Sequence, residues 1–171
     1  KSIIRELSEY ATARGKEIGY ENVFDYSLGN PSVPCTEDYT DTVIAMYQNM
    51  NPMEIHGYSP SLGIESVRAA VAESLNRRFD MDYEAKHIFM ASGAAGALAH
   101  AFRAVTKPGD EIITFAPCFP EYFPYVNTTG AMLKVVPANT EDFQINFEEF
   151  EKMLNPKVMA VLINTPNNPS G

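Results

Sequence analysis

The sequence predicts an α/β fold, a three-layer αβα sandwich with a mostly parallel sheet, preceded by an N-terminal helical segment. From about residue 64 onward, segments in which apolar residues recur at helical spacing alternate with short runs of β-favouring residues. Those short runs are apolar at almost every position rather than at every second one. Strands of that kind are typical of a parallel sheet that is covered by helices on both faces.

The N-terminal segment is predicted to begin with a helix. Ser2 can cap its start, Gly19 can end it, and apolar side chains recur at helical spacing between them. Residues 23–28 alternate as a short strand and lead into a stretch too rich in turn-forming residues to be regular. We therefore place a domain boundary here, between an N-terminal segment of residues 1–34 and a larger domain of residues 35–171.

The larger domain is predicted to alternate helices with strands. One helix has a recognisable start, because Asn146 and Glu149 form a capping-box pattern. The predicted helices are residues 42–48, a segment beginning at residue 64, and residues 94–105, 119–128 and 147–154. The predicted strands are residues 87–91, 111–115, 132–136 and 158–163.

Composition excludes several classes of protein. The 171 residues are 45% apolar and 20% charged, which is ordinary for a globular chain. A net charge of -9, spread along the chain, argues against a nucleic-acid partner, and no apolar run approaches the ~20 residues of a membrane helix. Residues 1–7 do not resemble a signal peptide, and Cys35 and Cys118 make no disulfide framework. We therefore expect a cytoplasmic protein.

Three loops follow predicted strands, where ligands collect in open parallel sheets. Residues 92–97 are small and precede a helix, so their N–H groups suit a phosphate, although a tight turn for close packing explains them equally well. In the second loop, Phe119 can stack on a flat ring or pack into the core. Residues 164–171 combine prolines with asparagines, which indicates a rigid turn whose amides can bond a ligand.

A dinucleotide site is disfavoured by the same loops. Only Gly93 and Gly96 match the GxGxxG pattern, and the next strand ends in Ala116-Pro117 instead of an acidic residue. A nicotinamide-dependent oxidoreductase is therefore a weak alternative. The histidines have no metal-ligand spacing, and the seven lysines lie in surface contexts: His56, His87, His100, Lys1, Lys16, Lys86, Lys107, Lys134, Lys152 and Lys157.

Four segments together resemble the class I/II aminotransferases. Residues 164–171 are similar to their NxPxNPTG signature, with Ser170 in place of the commoner threonine. Residues 28–34 resemble the family's LGxPxxP segment, residues 57–63 its YxPxxG segment, and residues 92–98 its phosphate loop. The four occur in the family's order and extend over nearly the whole chain. The resemblance implies the large domain of a pyridoxal 5'-phosphate (PLP) dependent transferase, incomplete here.

The resemblance implies roles in binding PLP. Gly93, Ala94 and Ala95 lie in the phosphate loop, where the amides of Ala94 and Ala95 would hold the phosphate. Phe119 would stack on the pyridine ring, and Asn168 would hydrogen-bond its phenolic oxygen. Ala95 departs from relatives with a hydroxyl or amide there, so a side-chain contact to phosphate is lost or moved.

Further implied roles concern the partner subunit and the substrates. Tyr58 would reach the phosphate of a partner subunit's PLP in a homodimer, and Gly29 would lie near the substrate carboxylate. The substrates implied are an amino acid and a 2-oxo acid. Pro117 and Pro169 occupy positions where the family often has cis peptide bonds, and the Asn168-Pro169 bond is predicted to be cis.

No catalytic residue is assigned in this chain. The family places the Schiff-base lysine, the ring-nitrogen aspartate and the carboxylate-binding arginine beyond the position of Gly171. We therefore expect the 171 residues alone to lack transaminase activity. Two alternatives stay open: a PLP-dependent lyase or decarboxylase of the same fold, because these loops do not choose which substrate bond breaks, and a non-catalytic α/β ligand-binding domain.

Overall fold

The computed structural model describes residues 3–29, 31, 33–139 and 141–171. It divides into two compact units, which we name the helical unit (Lys1–Ser59) and the sheet unit (Pro60–Gly171). The domain boundary placed after residue 34 stays a prediction for the full-length protein.

The described residues of the helical unit form three α-helices, α1 (Ile3–Ile18), α2 (Glu37–Asn49) and α3 (Pro52–His56), with a 3-10 turn at Tyr20–Asn22. The first predicted helix is confirmed, although its expected cap, Ser2, lies outside the described residues. Helix α2 begins five residues earlier than predicted, and acidic side chains occupy its first turn, where the helix dipole favours them. Helix α3 was not predicted; the Asn51 side chain caps it by accepting from the N–H of Met53 at 2.9 Å.

The strand predicted at residues 23–28 is wrong. The described residues of the helical unit form no strand that could pair with it, and a lone strand leaves its backbone groups without partners. A local alternative exists instead, because the Asp25 carboxylate accepts from both the N–H of Ser27 at 2.9 Å and the hydroxyl of Ser27 at 2.5 Å. Such local hydrogen bonds stabilise a turn, which competes with the hydrogen bonds that a strand would make to a neighbouring strand.

In the sheet unit, the residues that the structure describes form a sheet of three parallel strands. The elements of this unit are α4 (Glu65–Phe79), a 3-10 turn (Ala85–His87), α5 (Gly93–Val105), β1 (Glu111–Phe115), α6 (Tyr122–Asn127), β2 (Met132–Val136), α7 (Phe147–Met153) and β3 (Val158–Val161). The strand order is β2-β1-β3, and both pairs are parallel. The mostly parallel sheet is therefore confirmed, with β1 at its centre.

The strand predicted at residues 87–91 is also wrong. Its first residue ends a 3-10 turn, and His87 folds back so that its Nδ1 accepts from the N–H of Glu84 at 3.0 Å. One backbone bond, from the N–H of Met90 to the carbonyl of Leu62 at 3.2 Å, does not make a ladder. The last strand, β3, ends two residues before the predicted bound.

The sheet has helices on both faces. On one face, Ile112 of β1 packs in a buried cluster with Phe102 of α5, Tyr122 and Val126 of α6, and Leu133 of β2. On the other face, the Phe115 ring lies 5.4 Å from that of Phe150 in α7. The connection from β1 to β2 and the connection from β2 to β3 cross the sheet in opposite directions. Because such connections are right-handed, their helices, α6 and α7, lie on opposite faces of the sheet. The predicted three-layer sandwich is thus confirmed.

A polar contact links the three strands at the amino edge of the sheet, the edge at which they begin. Glu111 is 8% exposed at the start of β1, and its carboxylate accepts from the amide of Asn155 at 2.9 Å. The ammonium group of Lys134 on β2 lies 3.8 Å from the same carboxylate. Because Glu111 begins β1, Lys134 lies in the middle of β2 and Asn155 precedes β3, the contact links all three strands near this edge.

We expect Ile112→Ala to lower the free energy of unfolding by about 2–5 kcal/mol, because it empties a fully buried position at the centre of the sheet. Met132→Ala is the control, since that side chain is half exposed on the outer strand β2 and should cost well under half as much. Chemical denaturation of the two variants measures both values. Equal losses would contradict the burial assigned to Ile112.

Candidate functional site

The start of α5 lies at the carboxyl edge of the sheet, the edge at which β1, β2 and β3 end. The other end of α5 is fixed at the amino edge, where the hydroxyl of Thr106 bonds that of Thr129 at 3.0 Å, just before β2. Helix α5 then runs back along β1, packing Leu98 and Phe102 on the core. Its 13 residues extend roughly 20 Å, against roughly 16 Å for the five residues of β1. Gly93 therefore reaches the level of the strands' carboxyl ends.

The first turn of α5 presents N–H groups that the helix itself does not bond. The first four N–H groups of a helix have no carbonyl one turn earlier, and the side chain of Ser92 caps none of those in α5. Gly93 has a φ of 68° with open space where a Cβ would project, and Ala94 and Ala95 are exposed. This uncapped, small-residue start of a long helix fits a phosphate group, because it offers donors and a positive dipole end without obstruction.

The second loop after a strand carries Phe119, and we call residues 116–122 the Phe119 turn. The Ala116-Pro117 bond is cis, as the resemblance implies. The Phe119 ring is half-buried, lies edge-on to Tyr122 with ring centroids 5.7 Å apart, and packs on the core cluster. Core packing, one of the two expectations for Phe119, is therefore observed, while part of the ring stays accessible to a ligand.

Two polar side chains of the Phe119 turn, those of Cys118 and Tyr122, add no negative charge to the carboxyl edge. Burial raises the pKa of the Cys118 thiol, and burial followed by the neighbouring Cys118 and Tyr125 raises the pKa of the Tyr122 hydroxyl. Both groups are therefore neutral at neutral pH. An anion bound at the start of α5 meets no ionised group from either side chain.

The third loop, residues 164–171, is named the Asn168 turn. Its Asn168-Pro169 bond is cis, which confirms the sequence prediction, and the Thr165-Pro166 bond is also cis, which was not predicted. Asn168 is exposed, so its amide is available to a ligand. The structure thus brings the start of α5, Phe119 and Asn168 to one edge of the sheet.

Asn167 is the site residue that the sequence reasoning missed. Its amide donates to the carbonyl of Pro117 at 2.9 Å and to the hydroxyl of Ser170 at 2.7 Å. The first bond joins the Asn168 turn to the Phe119 turn. In the sequence, Asn167 and Asn168 are adjacent and chemically identical, so only the fold separates the inward amide from the exposed one.

A groove of about 210 Å³ also opens at the carboxyl edge. It lies between the ends of β1 and β3 and residues 143–146, with Phe115, Phe143, Ile163 and Asn164 among its walls. Neither Phe119, Asn168 nor the start of α5 lines it. The groove therefore lies beside the predicted cofactor-binding residues and shares walls with both turns, through Ala116 and Asn167.

Gly29 and Tyr58 belong to the helical unit. Gly29 is exposed in a segment without regular structure, and the Tyr58 side chain is fully exposed. Their predicted contacts with substrate and with a partner subunit's cofactor stay predictions. Within the described ranges, no three His, Cys, Asp or Glu side chains are grouped to hold a metal ion. None of the helices that the structure describes is long and apolar enough to cross a membrane.

Comparison with known proteins identifies the family. The sequence profile of the family described as aminotransferase class I and II matches residues 22–171. The chain is 33% identical over 152 residues to an aspartate aminotransferase of Thermotoga maritima, covering 88% of this chain and 39% of the relative. It is 32% identical to a probable N-acetyl-LL-diaminopimelate aminotransferase of Bacillus subtilis, covering 89% of this chain and 38% of that protein.

Solved structures agree with the sequence comparison. An aminotransferase from Eubacterium rectale superposes with a TM-score of 0.92 at 44% identity, covering 99% of this chain and 43% of that one. The aspartate aminotransferase of Thermotoga maritima gives a TM-score of 0.87 at 32% identity, covering 100% of this chain and 44% of that one. This chain belongs to the class I/II aminotransferases, and it spans about two-fifths of the length of these relatives.

Two glycines of the α5 start should respond oppositely to alanine. Gly93→Ala should lower the free energy of unfolding by about 1–2 kcal/mol, since an L side chain is strained at a φ of 68°. Gly96→Ala should raise it by about 0.5–1 kcal/mol, because Gly96 is helical and an added Cβ meets only ordinary contacts at 3.8 Å. Denaturation without cofactor measures both, and effects of the same sign would contradict the backbone described for this turn.

Proposed function

We propose that the full-length protein carrying this chain is a PLP-dependent aminotransferase that transfers an amino group between an amino acid and a 2-oxo acid. The observation that carries the proposal is the convergence of the α5 start, Phe119 and Asn168 on one edge of a parallel sheet. Membership of the class I/II aminotransferases supports it. The relatives named above are all aminotransferases, which favours transamination over a lyase, a decarboxylase or a non-catalytic binding domain.

In this proposal the first turn of α5 holds the phosphate of PLP. The N–H groups of Ala94 and Ala95 would donate to the phosphate, with the positive end of a 13-residue helix behind them, while Gly93, whose N–H bonds the carbonyl of Ala91 at 3.1 Å, leaves open space beside them. Small side chains matter here because a larger one would keep the phosphate from the backbone. These donors are backbone groups.

Phe119 and Asn168 are proposed to orient the ring of PLP. The half-buried Phe119 is held from below by the core, so its accessible side can form a rigid plate for a flat ring. The exposed amide of Asn168 can donate to the phenolic oxygen. When bound, PLP supplies an electron sink that stabilises negative charge on the substrate carbon. This chain's residues bind and orient it, and no catalytic residue is proposed among them.

Roles for the helical unit complete the proposal. Tyr58 would contact the phosphate of a partner subunit's cofactor, which makes a homodimer part of the active site, and Gly29 would lie near the substrate carboxylate. The exposure of both residues is compatible with such contacts. The substrates named for the relatives differ, from aspartate to N-acetyl-LL-diaminopimelate, so the proposal extends to the class of substrate only. A cytoplasmic location is proposed from the cysteine usage alone.

Ala94→Asp tests the phosphate site, because the substitution acts oppositely on folding and on cofactor binding. A carboxylate in the first turn favours the helix dipole, so stability without PLP should be unchanged or raised by about 0.3–1 kcal/mol. The same charge repels phosphate, so the dissociation constant of PLP should rise at least about tenfold and transamination should fall at limiting PLP.

Ala104→Asp is the matched control, because it adds the same charge at an exposed position near the other end of α5. It should leave PLP binding unchanged while costing a little stability. Thermal unfolding and titration of cofactor absorbance on the full-length protein measure both effects. Wild-type PLP affinity in Ala94→Asp, or wild-type protein without transaminase activity toward any common amino acid, would contradict the proposal.

A further inference from the structure

We propose that Asn167 is a positioning residue, which sets the spacing between the Phe119 turn and the Asn168 turn and thereby orients the two side chains that grip the cofactor ring. This inference rests on the proposed function. It assigns Asn167 no contact with the cofactor or the substrate.

The contacts of Asn167 join two parts of the chain that are distant in sequence. Its half-buried amide donates across 50 residues to the carbonyl of Pro117 at 2.9 Å. The same nitrogen donates to the hydroxyl of Ser170 at 2.7 Å, and the carbonyl of Asn167 accepts from the N–H of Gly171 at 2.7 Å. Asn167 therefore closes its own turn while it holds the neighbouring one.

The bond lies where the hydrogen bonds between β1 and β3 end. The N–H of Leu162 bonds the carbonyl of Ile113 at 2.8 Å, and the hydroxyl of Thr114 bonds the carbonyl of Leu162 at 3.1 Å. Beyond Leu162, the bond from Asn167 to Pro117 is the next link between the two segments within the described part of the chain. This bond therefore fixes the relative position of the two loops that follow β1 and β3, as the backbone bonds fix the register of the strands.

Prolines explain why a side chain has to make this link. Pro117, Pro120, Pro166 and Pro169 lie in the two turns and have no N–H to donate. The backbone can therefore supply few cross-links between the turns, and an asparagine amide provides the missing donor. Without this donor, the half-buried carbonyl of Pro117 would have no hydrogen-bond partner. Leaving a buried carbonyl unpaired destabilises the fold more than losing a hydrogen bond whose groups water can reach.

The position of the bond connects it to the ring. Phe119 is two residues from Pro117, and Asn168 is the residue after Asn167. A displacement between the two turns therefore moves the aromatic plate relative to the ring-oxygen donor. A misplacement of reacting groups by roughly 1 Å can lower the rate about a hundredfold. A hydrogen bond that does not touch the cofactor can therefore still control the rate of the reaction.

Asn167→Ala tests this role in the full-length protein. We expect the dissociation constant of PLP to rise about tenfold, the visible circular dichroism of bound PLP to weaken, and kcat at saturating PLP to fall more than KM rises. Asn167→His should restore much of the wild-type signal, because its Nδ1 is the same number of bonds from the backbone as the asparagine nitrogen. If the alanine variant does not fold, Asn167→Ser replaces it. The serine hydroxyl is too close to the backbone to reach Pro117, so this variant should also lose PLP affinity relative to Asn167→His.

Asn155→Ala is the matched control. Asn155 also joins sheet segments through its side chain, by its 2.9 Å bond to Glu111, but it does so at the amino edge. It should lower the thermal midpoint without changing the circular dichroism or the affinity for PLP. Equal spectral changes in Asn155→Ala and Asn167→Ala, or a wild-type spectrum and affinity in Asn167→Ala, would overturn the positioning role. Wild-type protein that does not bind PLP would instead refute the proposed function.

Discussion

The enclosure of β1 is the constraint on which the rest of the sheet unit depends. Neighbouring strands occupy both of its hydrogen-bonding edges, and helices cover both of its faces. Side chains enclosed in this way must be apolar or fully hydrogen-bonded. Ile112 and Ile113 meet the first condition and are fully buried, whereas Thr114 meets the second by donating to a carbonyl after β3. With β1 fixed, the loop that leaves its carboxyl end is fixed as well.

Because the strands are parallel, the loops that follow them lie together at one edge of the sheet, where they can form a site. Parallel strands end at the same edge, so the loops after β1 and β3 are neighbours although they are about 50 residues apart in sequence. Helix α5 runs antiparallel to β1, which brings its unbonded N–H groups to that edge too. Donors for an anion, an aromatic face and amide side chains thus share one edge. The proposed grip on the cofactor ring depends on the spacing between these loops, which is why we propose a positioning role for the Asn167 amide that joins them.

The sequence predicted what local patterns determine and missed what only the assembled chain decides. Strands β1 and β2 have their predicted bounds, because an apolar run with no polar face has few alternatives to burial. Residues 87–91 are a similar apolar run and residues 23–28 alternate, but neither segment forms a strand among the described residues, since a strand also needs a partner that no local pattern reveals. Likewise Asn168 was nominated from its motif, whereas the inward bond of Asn167 became visible only when the fold placed Pro117 beside it.

The contact between the first turn of α5 and a phosphate is tested most directly by a crystal structure of the full-length protein grown with PLP. We expect phosphate oxygens within hydrogen-bonding distance of the N–H groups of Ala94 and Ala95, with the ring against Phe119. A phosphate held by other groups, while the first turn of α5 contacts only solvent, would contradict this expectation.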